Sequence, residues 1–180
     1  ICIIFWIYLA WFSWQRYFTP GSSSFIIYLI LMITWTIGTG VYLAMELPQD
    51  KYLGLWIMFA GLIGAPSTLM FFFSQLTRQS WLNKRRYQAM ILFEPVMMLL
   101  FIYTNPYHHL FIRDSFTMPT GAGFIYIGDD YGPLYWLHFA YSAIVFIYCM
   151  WVLNKDYKMS GDYRRKQIRV LMVAMGFLWL

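Results

Sequence analysis

Three histidines and a group of acids are the residues of this chain best suited to chemistry. His108 and His109 are adjacent, and His138 follows further along. Three acids lie between them in the sequence: Asp114, Asp129 and Asp130. Such side chains could bind Zn²⁺ or Cu²⁺, and an imidazole, which titrates at about pH 6.5, could report pH. In the alternative interpretation the histidines have structural roles only: His108 or His109 caps a helix end, and His138 forms a hydrogen bond with a backbone carbonyl or a Tyr hydroxyl. No spacing matches a metal motif, and we predict neither a metal site nor a cofactor.

Glu94 is the residue whose burial costs the most free energy, because its carboxyl group lies inside the apolar run of residues 91–96. A buried carboxylate costs several kcal/mol or stays protonated, so it is a functional candidate by default. The following residue, Pro95, removes a backbone donor and favours a kink. Glu94 could repair the lost hydrogen bond as a neutral acid, or pair with a basic residue from the inner face. It could equally relay a proton or a signal, and we keep it as an intramembrane relay candidate.

The composition predicts the elements that must hold these residues. Apolar residues make up 61% of the 180 and charged residues only 12%, about half the charged fraction of a typical soluble domain. Six apolar segments can be drawn by hydropathy, at residues 1–14, 25–45, 52–76, 88–103, 133–153 and 168–180. We therefore predict an all-α membrane protein, a polytopic helix bundle in the lipid bilayer. It forms one domain over residues 1–180, whose first and last spans are truncated.

Local patterns refine this bundle. Residues 124–127 have β-forming side chains between Gly-rich flanks, so the fourth loop forms either a short hairpin or an irregular loop. Small residues predict close helix approach in the second and third segments: Gly38, Gly40, Gly61 and Gly64. Trp35 lies in mid-span and must pack against a neighbour or line a pocket. Pro66 and Pro95 are candidate hinges.

The basic residues alternate between loops and so predict the orientation. Eleven of the 13 lie in the first, third and fifth loops or at their edges, and Lys51 and Arg113 alone lie in the second and fourth. The odd-numbered loops are therefore cytoplasmic and the N-terminus is outside. The polar stretch of residues 104–136 lies outside as well. We expect the basic loops to contact anionic lipid head groups, and we predict no nucleic-acid binding. We also expect a fragment of a longer signalling protein, with a seventh helix beyond Leu180.

Two runs of residues resemble the motifs of a known family. Residues 104–111, TNPYHHLF, resemble the TNxxHHLF signature of the seven-helix N-terminal sensor region of bacterial and archaeal histidine kinases. Residues 131–142, YGPLYWLHFAYS, resemble that family's YGPLFWxHxxYSY, with Ala143 in place of the last Tyr. Weaker similarity extends to WxLGYxLEL at residues 35–46 and to YRRQ at residues 163–167. The resemblance implies a sensory input domain placed before PAS, histidine-kinase or diguanylate-cyclase modules, and it implies no particular stimulus.

These observations lead to one leading hypothesis and one alternative. The chain is the receptor module of a signalling protein in the cytoplasmic membrane, which detects an extracytoplasmic or intramembrane stimulus, a small ligand or a proton. The candidate sensing residues lie at the outer helix mouths: His108, His109, Tyr131, Trp136 and His138. The chain contains no catalytic motif, so the enzyme would be the parent histidine kinase, a homodimer formed through its output domain. The alternative is a small proton-coupled transporter or channel subunit that uses Glu94.

Overall fold

The computed structural model describes residues 2–119 and 125–179 as a helix bundle with one β-hairpin. The long helices are α1 (Cys2–Gln15), α2 (Ser22–Ala44), α3 (Pro48–Leu76), α4 (Arg85–Tyr103), α6 (Pro133–Met159) and α7 (Asp162–Trp179). A 3₁₀ turn at Ser80–Asn83 precedes α4, and a short helix, α5 (Asn105–His108), follows it. Residues 120–124 fall outside the described ranges, so the prediction for Phe124 is not tested.

Four of these helices are long and apolar enough to cross a membrane, namely Ser22–Ala44, Asp50–Leu76, Arg85–Tyr103 and Pro133–Met159. A shorter apolar helix spans Ile3–Gln15. They correspond to the first five predicted segments, and the all-α polytopic bundle is confirmed. Many of the large apolar side chains on their outer faces are exposed, such as Ile144 at 66% and Met90 at 69%. A surface this apolar is suited to lipid rather than to water.

The helices extend further into the charged loops than hydropathy predicts. The fourth helix begins at Arg85 rather than at residue 88, and α6 continues to Met159 rather than to residue 153. The last helix, α7, begins at Asp162 and takes in the basic residues before the apolar run. Hydropathy detects the part of a helix that is buried in hydrocarbon, whereas hydrogen bonding and snorkelling side chains continue the same helix into the interface.

Helices α2 and α3 pack against each other so closely that glycine is required at the contact. A methyl group added at Gly38 would collide with the backbone of Met58, and one added at Gly61 would collide with the carbonyl oxygen of Leu31. The predicted close approach is confirmed at these positions. It is wrong for Gly40, which has open space where a side chain would lie. Gly38 and Gly40 are two residues apart and so lie on opposite faces of α2, and the residue type alone did not distinguish the two faces.

The polar stretch after α5 contains an antiparallel hairpin. Strand β1 (Ile112–Pro119) pairs with β2 (Ile125–Tyr131), with an irregularity between Ile112 and Asp114. Of the two alternatives for this loop, the hairpin is correct. The first strand was not predicted, because its sequence mixes charged and apolar residues without strict alternation.

Two buried clusters form most of the core. The outer one joins α2, α3 and α4 to the hairpin base and contains Tyr42, Leu55, Phe59, Ile63, Met98, Ile102 and Phe111. The inner one joins α3, α6 and α7 and contains Phe73, Val145, Cys149, Leu153, Ile168 and Met175. Helix α6 belongs to the inner cluster, and the partly buried Leu134 and Tyr135 at its outer end pack against the outer one. It therefore connects the two ends of the bundle.

Candidate functional site

The structure brings Glu94 and His138 together at the contact between α4 and α6. Glu94 Oε1 lies 2.8 Å from His138 Nδ1, and the two side chains are 16% and 9% exposed. The sequence had suggested separate roles for them, and it had suggested a carbonyl or Tyr partner for His138. Both suggestions are wrong, because the partner of His138 is Glu94 and the two residues form one pair. The sequence indicated a basic partner from the inner face for Glu94 and a place at the outer helix mouths for His138, so it did not predict their contact.

The second carboxylate oxygen of Glu94 makes the pair sensitive to its surroundings. Glu94 Oε2 is buried and has no hydrogen-bond partner in the part of the chain that the structure describes. An unsatisfied buried oxygen of this kind costs about 1–3 kcal/mol, and more if it carries charge. Any change that supplies a proton or a hydrogen-bond donor at this oxygen would therefore change the free energy of the α4–α6 contact.

The backbone repair at Pro95 comes from Tyr141 rather than from Glu94. Because Pro95 has no N–H, the carbonyl of Ile91 loses its helical partner. The Tyr141 hydroxyl donates to this carbonyl at 3.0 Å. The Ser67 hydroxyl lies 2.7 Å from the Tyr141 hydroxyl and 3.4 Å from the same carbonyl. Three helices thus meet at the Ile91 carbonyl, one turn away from the Glu94–His138 pair.

The TNPYHHLF run is a structural clamp that ends α4 and begins the hairpin. The Asn105 side chain accepts hydrogen bonds from the backbone N–H groups of Phe111 and Ile112 at 2.9 and 3.1 Å, and it donates to the Ile112 carbonyl at 2.9 Å. His108 accepts a bond from the Leu110 N–H at Nδ1, and its Nε2 lies 3.1 Å from the Thr104 hydroxyl. His109 ends α5 with a φ of +54°. The capping role suggested for these histidines fits this geometry.

The second motif anchors the hairpin to the start of α6. Tyr131 stacks on Tyr135 with ring centroids 3.8 Å apart, and Tyr135 meets the fully buried Phe111 edge to face. The Gly132 N–H donates to the Phe111 carbonyl at 2.8 Å. Trp136 meets Tyr135 edge to face, with ring centroids 5.6 Å apart, and is 58% exposed. Of the five predicted sensing residues, Tyr131 and His108 therefore hold the outer loop, and His109 and Trp136 lie at the surface. His138 alone reaches the buried pair.

No group of three or more His, Cys, Asp or Glu side chains is arranged to hold a metal ion within residues 2–119 and 125–179. The metal alternative for the outer histidines and acids thus receives no geometric support from these residues. Cys149 is a free, buried thiol that packs in the inner core cluster.

A cavity of about 420 Å³ adjoins the pair, between α2, α3, α6 and α7. Its wall is mostly aromatic and aliphatic and includes Trp35, Phe139 and Phe146, with His138 and Ser142 as polar members. The prediction that Trp35 packs against a neighbour or lines a pocket is confirmed. This volume lies within the range of about 300–1,000 Å³ that is usual for small-molecule sites.

The inner end of α6 is tied to two other helices by an arginine that the sequence reading did not single out. Arg164 in α7 donates to the Asp156 carboxylate of α6 at 2.7 Å and to the carbonyl of Leu76, the last residue of α3, at 3.1 Å. The pairing joins residues eight apart across the α6–α7 turn. The sequence signal was present, because a carboxylate and a guanidinium flank the break at Ser160-Gly161, but Arg164 was counted only among the basic residues of the fifth loop and Asp156 was not considered.

Taken together, the long apolar helices and the polar clamp between them define a multi-pass membrane protein. The sequence matches the family described as the N-terminal 7TM region of histidine kinase over residues 1–180. The chain belongs to this family. Comparison with curated proteins gave no match, and comparison with solved structures gave none either. Because the match takes up the whole chain, no residues remain in it for a kinase catalytic domain.

Proposed function

We propose that this chain detects an extracytoplasmic or intramembrane stimulus through the Glu94–His138 pair and passes it to a cytoplasmic output domain. The observation that carries the proposal is the 2.8 Å contact between two ionisable side chains of different helices, both largely buried. Ionisable groups at such depth are expensive and are retained where they have a function. The output domain would be a histidine kinase, or a diguanylate cyclase in a related arrangement, and the helix bundle before it would lie in the cytoplasmic membrane.

The pair is suited to switching because it has two protonation arrangements. When Glu94 is ionised, Nδ1–H of His138 donates to it, and a protonated His138 adds a charge–charge attraction. Removing either charge weakens the attraction and leaves the other charge buried without its counter-charge. A stimulus that prefers one arrangement would shift the population of α4–α6 packings by its differential affinity for the two states.

Helix α6 offers a rigid connection from this pair to the cytoplasmic side. Its 27 residues span about 40 Å at helical rise. At its inner end, the Asp156–Arg164 pair joins it to α7, and Arg164 also bonds the end of α3. A small shift of α6 at His138 would therefore move the start of α7 relative to α3. The output domain would receive this movement, in a homodimer formed through that domain.

The cytoplasmic ends of α6 and α7 carry the charges for contact with anionic lipid head groups. The exposed basic residues there are Lys155, Lys158, Lys166 and Arg169. Each basic side chain near an anionic surface contributes about 1 kcal/mol. Such contacts would hold the α6–α7 turn at the interface while the helices above it move.

The proposal is tested by the autophosphorylation rate of the intact parent kinase in membrane vesicles. His138→Ala is expected to change the rate by about fivefold or more, the lower end of typical coupling between sites. Leu137→Ala is the control, because it truncates the neighbouring side chain of α6, which is 56% exposed. Unchanged autophosphorylation in a folded His138→Ala protein would remove His138 from the mechanism.

Glu94 also supports the second candidate, a proton-coupled transporter or channel subunit. It is a largely buried carboxylate at the centre of α4, and proton carriers use such residues. Proteoliposomes with an internal pH dye would measure the flux. Proton flux that is lost in Glu94→Gln favours the transporter, whereas no flux from the wild-type protein favours the receptor.

A further inference from the structure

The 420 Å³ cavity has a polar end and an apolar end, and both are set by α6. His138 and Ser142 are four residues apart and so lie on the same face of the helix. Further along this face, Val145, Phe146 and Cys149 line the cavity, and Met175 of α7 lines it too. A ligand in this space would place a polar group near His138 and an apolar body toward the inner half of the bundle.

Besides the hydroxyl groups of the lining residues Ser142, Tyr28 and Tyr135, the cavity is offered one ring nitrogen. Glu94 occupies Nδ1 of His138, which leaves Nε2 as the ring nitrogen that can serve the cavity. With Glu94 ionised, Nδ1 carries the proton, so Nε2 of the neutral ring accepts and Nε2–H of the charged ring donates. A hydroxyl group satisfies both forms, because it is a donor and an acceptor at once.

The walls and the entrance indicate the rest of the ligand. Trp35, Phe139 and Phe146 surround the space, and aromatic faces and edges favour another ring. Trp35 and Phe139 are also 38% and 50% exposed on the outer surface of the bundle. The cavity can therefore be reached sideways from the bilayer, where apolar molecules dissolve.

We propose that the cavity binds a phenol-type molecule, an apolar aromatic body with one hydroxyl, which bonds His138. The site deepens the proposed sensory function by naming its ligand class, and it rests on that function. The hydroxyl would occupy Nε2 while Glu94 holds Nδ1, so ligand and carboxylate would act on the two sides of one imidazole. Occupancy would thereby bias the α4–α6 contact.

The test uses the intact protein in nanodiscs of phosphatidylethanolamine and phosphatidylglycerol, with two photoreactive probes. One is a phenyl diazirine that carries a hydroxyl, and the other is its methyl ether, which cannot donate. We expect the phenol to label α2 near Trp35 and α6 near Phe139, with naphthol competing better than naphthalene. One neutral hydrogen bond corresponds to about two- to tenfold stronger labelling by the phenol than by the ether.

Variants locate the site. His138→Ala should remove the difference between phenol and ether, and Ser142→Leu should block labelling because it fills the polar end. Ala140→Leu adds the same side chain on the exposed face of α6 and should label like wild type. Equal labelling by both probes in the wild-type protein, or labelling at Ile144 and Ile147 as strong as at Phe139, would overturn the proposal as partition into lipid. Absence of labelling would overturn it too, because another segment would then fill the cavity.

The two proposals fail separately. Hydroxyl-dependent labelling with normal autophosphorylation of His138→Ala would keep the binding site and overturn the sensory function. Altered autophosphorylation of His138→Ala, with no labelling of the wild-type protein, would keep the sensory function and overturn the binding site.

Discussion

At the scale of single residues, Tyr141 solves a problem that Pro95 creates. The proline leaves the Ile91 carbonyl without its helical donor, and the Tyr141 hydroxyl supplies one from a neighbouring helix. The same hydroxyl contacts Ser67 of α3. The missing hydrogen bond that would otherwise weaken α4 thereby becomes the point where three helices are bonded, next to the Glu94–His138 pair.

Tyr141→Phe should lower the free energy of unfolding by about 1–3 kcal/mol, because it leaves a buried carbonyl poorly satisfied. Thermal unfolding in detergent micelles, followed by circular dichroism, measures the change. Tyr107→Phe is the control, since Tyr107 is 89% exposed and its loss should be nearly neutral. In a Pro95→Ala background, which restores the N–H, Tyr141→Phe should cost less. An equal cost in both backgrounds would show that Tyr141 does not compensate for the hydrogen bond that Pro95 removes.

At the scale of elements, residue type predicted the helices well and their partners poorly. Apolar runs and charge alternation are local signals, and they located every long helix to within a few residues at most ends. Which polar residue meets which depends on tilt and relative depth, and these are set by packing across the bundle. Glu94 and His138 illustrate this, because each was recognised singly and their contact was not. Asn105, which makes three hydrogen bonds in the outer clamp, was recognised only as part of the TNPYHHLF motif, without a structural role.

The contact between α2 and α3 gives a prediction with an internal control. Gly38→Ala should destabilise the bundle by about 1–3 kcal/mol, because the added methyl group would overlap the backbone of Met58. Gly40→Ala places the same group in open space and should be neutral, or stabilising by up to about 1 kcal/mol through helix propensity. Thermal unfolding of both variants in the same detergent makes the comparison. Equal effects would contradict the close packing at Gly38.

At the scale of the whole molecule, the basic residues predict which end of the bundle faces the cytoplasm. The outer clamp and hairpin then lie outside, and the Asp156–Arg164 link lies inside. This arrangement places the motif-bearing loop at one end of α6 and the connection to α7 at the other. A stimulus and an output on opposite sides of the membrane would therefore be joined by one continuous helix.

Cysteine labelling tests this orientation. In a Cys2→Ser background, a membrane-impermeant maleimide should modify Tyr107→Cys in intact cells and Gly161→Cys only after permeabilisation. Cys149 should remain unmodified by the maleimide in both conditions, because it is fully buried. The reverse pattern would invert the bundle and place the hairpin in the cytoplasm.

The central claim is that Glu94 and His138 act as one unit in signalling, and a double-mutant cycle tests it most directly. The autophosphorylation rate of the intact parent kinase would be measured for wild type, Glu94→Gln, His138→Ala and the double variant, with folding of each verified by its unfolding transition. If the contact carries the signal, each single change alters the rate and the double variant is no more affected than the stronger single variant. Single effects that simply multiply in the double variant, or wild-type rates in all three, would contradict the claim.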